Sequence, residues 1–415
     1  MIDVAIAGAG PAGIACAVAL VRANPSLRGK VVVFDRARFP RGKPCGGGLT
    51  GHIDEALRAL GLELTVPFRA ATQARVTFGA LERRVTLERP VKIVRREEFD
   101  ASLVAQARDL GVDVQEGTPV DGFRVDASGV ELGAGGRTLR ARVLVGADGV
   151  GSAIRKQLHG ERRAADKGAP RPTPIRLFRH ELPARIPWAD DTMLYDFTAM
   201  ADGLRGYLWI FPVPGGRLNV GLMHYPARPF SGAELTALLA RHLQRFGVTL
   251  EKGCQGWPAW GYTPSSIVAG ERLLLVGDAA GIDALTGEGI AVGMEQGLVA
   301  GRAAAEALAS GNFGFRGYRR ALRRATVGRE LALDRWLARM LYGGEGWRRW
   351  LSLVLCDDRM LDLYAARVCG SMVLADHKRE LVKALARHVV RGGSRSRQLA
   401  SALLANAKVA AETAA

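Results

Sequence analysis

Six residues near the N-terminus, Gly8-Ala9-Gly10-Pro11-Ala12-Gly13, have the types and spacing to hold a pyrophosphate. Gly8 permits a tight turn, Gly10 lets the backbone approach the phosphates, and Gly13 lets a helix pack closely on a strand. The helix that opens at Pro11 and Ala12 adds free N–H groups and a partial positive charge. About 20 positions further on, Asp35 offers a carboxylate to ribose hydroxyls and disfavours a 2′-phosphate, hence NADP. The pattern points to a dinucleotide but does not by itself separate NAD from FAD. Cys45 stands in a second glycine-rich stretch, Lys43-Pro44-Cys45-Gly46-Gly47-Gly48-Leu49. Bare backbone N–H groups there let a flat or charged group approach, the alternative being a flexible linker. Two more aspartates are set among glycines, in Gly146-Ala147-Asp148-Gly149 and Gly277-Asp278-Ala279-Ala280-Gly281.

The elements that must position these groups can be read from periodicity. Val4–Ala7 is an apolar run suited only to a buried strand, and Ile14–Leu20 is rich in helix formers. Lys30–Asp35 is a second strand. A helix is expected over His52–Leu60, paired strands over Gln73–Phe78 and Arg84–Leu87, and a helix from Arg96 to Leu110, stopped by Gly111. Val120–Leu139 reads as a meander, and Arg140–Gly146 as strand before turn. Residues 160–175 are polar and Pro-rich, a boundary. From Arg176 to Tyr262 the chain is strand-like and aromatic, interrupted by an amphipathic helix over Gly232–Phe246. There Tyr207, Trp209 and Phe211 share one face of a strand, as pocket wall or as core. A buried strand returns at Arg272–Val276, and a long helix opens at Gly289-Ile290. The remainder, Phe315 to Ala415, reads as helix broken at Gly343-Gly344 and at Arg391-Gly392-Gly393. The expected fold class is α/β: a Rossmann-type domain with an inserted antiparallel-sheet domain and a helical C-terminal region. The division expected is 1–72, 90–165 and 265–314 for the first, 73–89 and 166–264 for the second, and 315–415 for the third.

Composition bounds the answer. The 415 residues suggest two or three domains, and 48% hydrophobic content excludes a disordered chain. No run reaches the ~18 uncharged apolar residues of a spanning helix. Met1-Ile2-Asp3 leads straight into a strand, so a cytoplasmic protein without leader is expected. Five scattered cysteines and seven histidines without ligand spacing argue against a disulfide scaffold and a metal site. The net charge of +17 suits an anionic membrane surface, an acidic partner or nucleic acid. No nucleic-acid motif accompanies it, and nucleic acid is not expected.

The three glycine-aspartate motifs resemble, in order, the FAD motifs of the flavoprotein hydroxylase superfamily. Lys43–Leu49, and Tyr207-x-Trp-x-Phe-Pro212 followed by Asn219-Val220-Gly221, resemble signatures of its geranylgeranyl reductase family. The resemblance spans about residues 1–310 on motif spacing. It implies FAD. It implies that Asp148, with Gly149, lies near the pyrophosphate, that Asp278 binds the ribityl chain, and that the helix at Gly289-Ile290 points N–H groups at the flavin pyrimidine. Arg96, of the Arg-x-x-Phe-Asp pattern, resembles an arginine near the ribityl or phosphate part. Arg36, Gly46 and Val120 complete the implied cofactor set with Gly8, Gly10, Pro11, Ala12, Gly13, Asp35 and Cys45. The chain departs from the family at Ala280–Thr286, shorter by one residue, with Ala284 where relatives carry Pro.

The family reduces isolated carbon–carbon double bonds of prenyl chains. That chemistry needs hydride on one carbon, a proton on the other, and an apolar tunnel. Cys45 is the residue expected to give or position the proton, unless it only fills space beside the glycine turn. Tyr207 and Trp209 are expected at the same site. The rival reading is oxygen chemistry, a flavin-dependent halogenase or monooxygenase, against which Tyr207 and Phe211 stand where a halogenase carries Trp and Ile. An electron-transfer flavoprotein would need a cluster or partner that no cysteine group supplies. No second dinucleotide fingerprint exists, so electrons are expected from a transiently docked NAD(P)H or a reduced carrier. For an apolar substrate, peripheral membrane contact is expected through Tyr318–Arg324 and Trp347–Leu351, which mix basic and apolar side chains.

Overall fold

The computed structural model describes residues 2–165, 174–225, 229–250, 253–263 and 265–387. The apolar runs with no polar alternation become strands buried on both faces, as parallel sheets require. β1 (Ile2–Ala7) lies between β2 (Val31–Asp35) and β9 (Arg137–Gly146), parallel to both. β6 (Asp113–Glu116) extends the sheet beyond β2, and β16 (Leu273–Leu275) then β15 (Ala269–Gly270) extend it beyond β9. The meander is an antiparallel ladder of β7 (Val120–Asp126) and β8 (Gly129–Ala134) onto β9. Helix α1 (Pro11–Ala23) and helix α6 (Ile290–Ser310) cross at close range: a Cβ on Gly297 would fall 2.4 Å from the Ala12 carbonyl oxygen. α2 (His52–Leu60), α3 (Arg96–Asp109) and α4 (Ala153–Ala165) complete this half.

The second sheet runs β14 (Gln255–Ala259), β10 (Ile175–Leu182), β13 (Arg217–His224), β12 (Gly206–Val213), β11 (Thr192–Asp196), β4 (Phe68–Phe78), β5 (Leu81–Val94), β3 (Gly48–Leu49). One face carries α5 (Gly232–Gln244), whose Leu235, Leu239 and Leu243 pack on Leu208, Ile210 and Val220. β4 and β5 are longer than alternation predicted, so residues 68–72 and 90–94 run in this sheet. The second of these strands was expected to end at Leu87, and it continues through the exposed Glu88-Arg89-Pro90. Pairing jumps from Ala71↔Val91 to Gln73↔Thr86, so Pro90 lies where the ladder is irregular and lacks no partner for a missing N–H.

Beyond α6 come α7 (Tyr318–Arg324), α8 (Thr326–Tyr342), α9 (Trp347–Cys356) and α10 (Asp358–Val368), then helical residues 378–387. They cover the other face of the second sheet at β4 and β5. The membrane expectation for Trp347 is corrected here: it is 2% exposed, its ring 6.1 Å from that of Phe78. Burying an indole against the sheet outweighs wetting it. The expected break at Arg391-Gly392-Gly393 lies outside the described residues. Among those described, no helix is long and apolar enough to cross a membrane.

Candidate active site

The glycine turn folds as its residue types require. Gly8 has φ +108°, and a Cβ on Gly13 would sit 1.9 Å from the Gly8 carbonyl oxygen. Gly10 differs: a Cβ there would meet only the Arg41 side chain, at 3.6 Å. The protein does not need that space, and a phosphate does. α1 opens with Pro at its first position and no side-chain cap, leaving N–H groups for an anion. Asp35 accepts from the Ala9 and Ala37 amides at 2.8 Å each, which orients its carboxylate toward the turn. Asp148 accepts from Ala153 N–H at 2.8 Å, capping α4, while its Oδ1 is buried with no hydrogen-bond partner. Burial pushes its carboxyl above the usual range despite hydrogen bonds from Ser152 and the turn. An orphaned acceptor beside an unfilled glycine cradle fits a ligand rich in hydroxyl and phosphate groups.

These residues line one cleft of about 750 Å³ between the two sheets. Every residue expected at the cofactor or the chemistry borders it except Gly13, which acts beneath the turn. The glycine loop crosses its middle. Asn219 donates from Nδ2 to the Cys45 carbonyl oxygen at 2.7 Å, and Trp209 donates from Nε1 to Asn219 Oδ1 at 3.0 Å. The Gly47 amide donates to Cys45 Sγ at 3.4 Å. Arg96 lies against the same sulfur and is held by Asp100 at 2.8 and 2.9 Å, with Arg41 sharing that carboxylate at 3.2 Å. Burial opposes the Arg96 charge, but Asp100 and Cys45 more than compensate. Lys43 reaches Asp278 at 3.2 Å and lies over the Trp257 ring at 4.4 Å. Sequence reasoning missed Arg41 and Lys43 as partners of Asp100 and Asp278, which lie far from them in the chain; only Arg96 and Asp100, four apart on α3, carry a local signal, in the Arg-x-x-Phe-Asp pattern.

Tyr207, Trp209 and Phe211 serve both readings weighed from sequence, buried in the core and bordering the cleft. Tyr207 donates its hydroxyl to the Thr286 carbonyl oxygen at 2.5 Å, and burial first, then Tyr195, raises its pKa well above the ordinary phenol value. Beyond it lies a second, almost wholly apolar chamber between β4, β5 and the C-terminal helices. Tyr195, Tyr207, Thr286 and Val368 border both spaces. Tyr195 was not singled out from sequence; alternation on a short strand does not reveal which face meets a cavity. α6 starts at the cleft with Gly289 as its cap residue and no side-chain cap.

A parallel sheet with a glycine turn, an acid closing its second strand and helix N-termini at one cleft defines a dinucleotide-binding fold. Residues 1–193 match the FAD binding domain family. The chain is 31% identical to the menaquinone reductase of Mycolicibacterium smegmatis over 74% of its length and 76% of that protein's. It is 28% identical to digeranylgeranylglycerophospholipid reductase 2 of Methanopyrus kandleri over 74% and 77%. A geranylgeranyl bacteriochlorophyll reductase-like protein of Thermoplasma acidophilum superposes with TM-score 0.69 at 20% identity, covering 91% of this chain and 98% of that one. The chain belongs to the geranylgeranyl reductase family of FAD-dependent oxidoreductases. Its cofactor is FAD.

Proposed function

We propose that the protein reduces carbon–carbon double bonds in a prenyl or similar apolar substrate. The observation that carries this reading is the apolar chamber that shares the wall residues Tyr195, Tyr207, Thr286 and Val368 with the cleft. A polar substrate would lose its hydration there without replacement, whereas a hydrocarbon chain gains about 0.8 kcal/mol per buried CH₂. The names of the relatives, reductases of menaquinone and of a digeranylgeranyl lipid, support the same class.

On this reading the residues divide the work. Gly8, Gly10, Pro11, Ala12 and the start of α1 hold the FAD pyrophosphate, with Asp35 and Arg36 toward the ribose. Asp148, Gly149, Val120, Asp278, Gly46 and Arg96 border the middle of the cofactor, and Gly289 and Ile290 its ring. Bound FAD supplies the hydride. Cys45, its peptide pinned by Asn219, holds a proton at Sγ for the second carbon. Tyr207 and Trp209, whose donors are already committed to Thr286 and Asn219, act as walls that orient the chain and exclude water. Electrons come from NAD(P)H or a reduced carrier. The same reading keeps the division of the chain into a FAD-binding part, a sheet part and a C-terminal helical part, and takes β4 and β5 at full length into the second.

The test is anaerobic. FAD-loaded protein, reduced chemically, is mixed with a detergent-dispersed geranylgeranyl lipid, and the product is weighed by mass spectrometry. A gain of two hydrogens per reduced bond is expected. Flavin reoxidation only on admission of oxygen, with oxygen or halide incorporated, would overturn the reading in favour of a monooxygenase or halogenase.

A further inference from the structure

Among the described residues, two of the three exposed large hydrophobic side chains flank the apolar chamber: Trp336, 42% exposed, and Val382, 60% exposed. Trp336 precedes the chamber residue Leu337 on α8, and Val382 follows the chamber residue Leu381 in the helical segment 378–387. α8 and this segment meet through Leu333, Leu337, Leu381 and Ala384. Leu337, Met340 and Leu385 border the chamber yet are only half-buried, so its apolar lining reaches the surface here.

Charge surrounds this opening. Arg335 and Arg339 stand on α8, and Lys378, Arg379, Lys383 and Arg387 on the segment. Among the described residues none of the six makes an ion pair. The acids of the two elements are largely engaged: Glu330 and Asp334 turn inward to Arg367, and only Glu380 stays on the segment. An exposed indole amid unpaired lysines and arginines suits the headgroup layer of an anionic bilayer, where the indole bridges apolar and wet zones.

We infer that this face, formed by α8 and residues 378–387, docks on an anionic lipid surface with the chamber opening toward the bilayer. The inference rests on the proposed prenyl substrate, whose chain would then pass from the membrane into the chamber without crossing water. Other occupants suit the face less well. Residues 388–415 carry Arg391, Arg395, Arg397 and Lys408 against the single acid Glu412, and a second copy would present the same charge. Like charges disfavour both as covers. The basic helix α7, one of the two contacts expected from sequence, has no exposed aromatic in it.

The experiment uses full-length, FAD-loaded protein sedimented with phosphatidylglycerol or phosphatidylcholine vesicles across a salt series. Wild type is expected to pellet with the anionic vesicles and to be released by salt. The double variant Lys378→Glu/Lys383→Glu should lose about tenfold or more in partition, Trp336→Ser should also weaken it, and Arg320→Glu/Arg324→Glu on α7 should change it by less than about twofold. Flavin absorbance and melting temperature report that each variant is folded. The variants should keep wild-type turnover on detergent-dispersed lipid and lose it on vesicle-embedded lipid. Equal partition to both vesicle types, no binding, or no loss on charge reversal would overturn the docking face. Absent turnover on dispersed lipid by wild type would instead overturn the proposed activity and leave the vesicle result to stand by itself.

Discussion

Asp278 and Cys45 carry the two residue-scale predictions. Asp278 balances Lys43 at the cleft, and the proposed role adds a ribityl hydroxyl to its partners. Asp278→Ala should lower bound flavin, at a cost of about 1–3 kcal/mol for the missing acceptor. The ratio of flavin to protein absorbance measures it, and full occupancy would contradict the assignment. Cys45→Ser should retain flavin, because the loop is held through the Cys45 backbone by Asn219 rather than through the thiol. Reductive turnover should fall steeply, a serine hydroxyl being a far weaker acid. Unchanged turnover would return Cys45 to packing beside the glycine turn.

At the scale of elements, the α1 turn and the buried charges under the C-terminal helices are the sensitive points. Gly13→Ala places a Cβ into the Gly8 carbonyl, and neither strand nor helix can retreat without loosening the α1–α6 contact. A loss of about 1–3 kcal/mol is expected, read as a lower melting temperature together with lower flavin content. Arg367 on α10 ties Glu330 and Asp334 of α8, all three buried. Arg367→Met should destabilise by about 3–5 kcal/mol, since it strands two carboxylates without a counter-charge. Urea unfolding at neutral pH checks this. Replacing all three residues with apolar ones should restore much of the loss, and failure of that rescue would point to a packing role for the guanidinium.

For the whole molecule, pH dependence follows from Glu295 on α6. Burial first, then Glu288, Glu55 and Glu330, push its carboxyl up to about 8 from the usual 4.5. The folded state therefore binds this proton more tightly than the unfolded chain. Its contribution is fully present below the unfolded value near 4.5 and is lost as pH rises toward 8. Glu295→Gln cannot ionise, so its stability should exceed that of wild type increasingly across this window, by about 4 kcal/mol at its upper end. A wild-type minus variant difference that is flat from pH 5 to 8 would contradict this. The carboxylate cluster lies where α2, α6 and α8 meet, so the effect belongs to the assembly of both halves rather than to one helix.

The glycine motifs, Asp35 and the start of α6 were legible in the sequence because their requirements are local. A positive φ, a missing Cβ or an uncapped helix start is written within a few contiguous residues. The strand β12 with its aromatic face was legible for the same reason, since period two depends only on the backbone. Which partners meet was decided by tertiary structure. Lys43 and Asp278 lie far apart in the chain, as do Cys45 and Asn219, and neither pair has a local signature. Trp347 and Trp336 show the limit most plainly. Both sit near arginines on helices of similar composition, yet one is buried against Phe78 and the other faces solvent. A helix with apolar residues on more than one side does not specify which side turns inward. That choice belongs to the sheet it packs on, whose long strands β4 and β5 supply the floor of the chamber, and so the opening of that chamber appears only in the folded molecule.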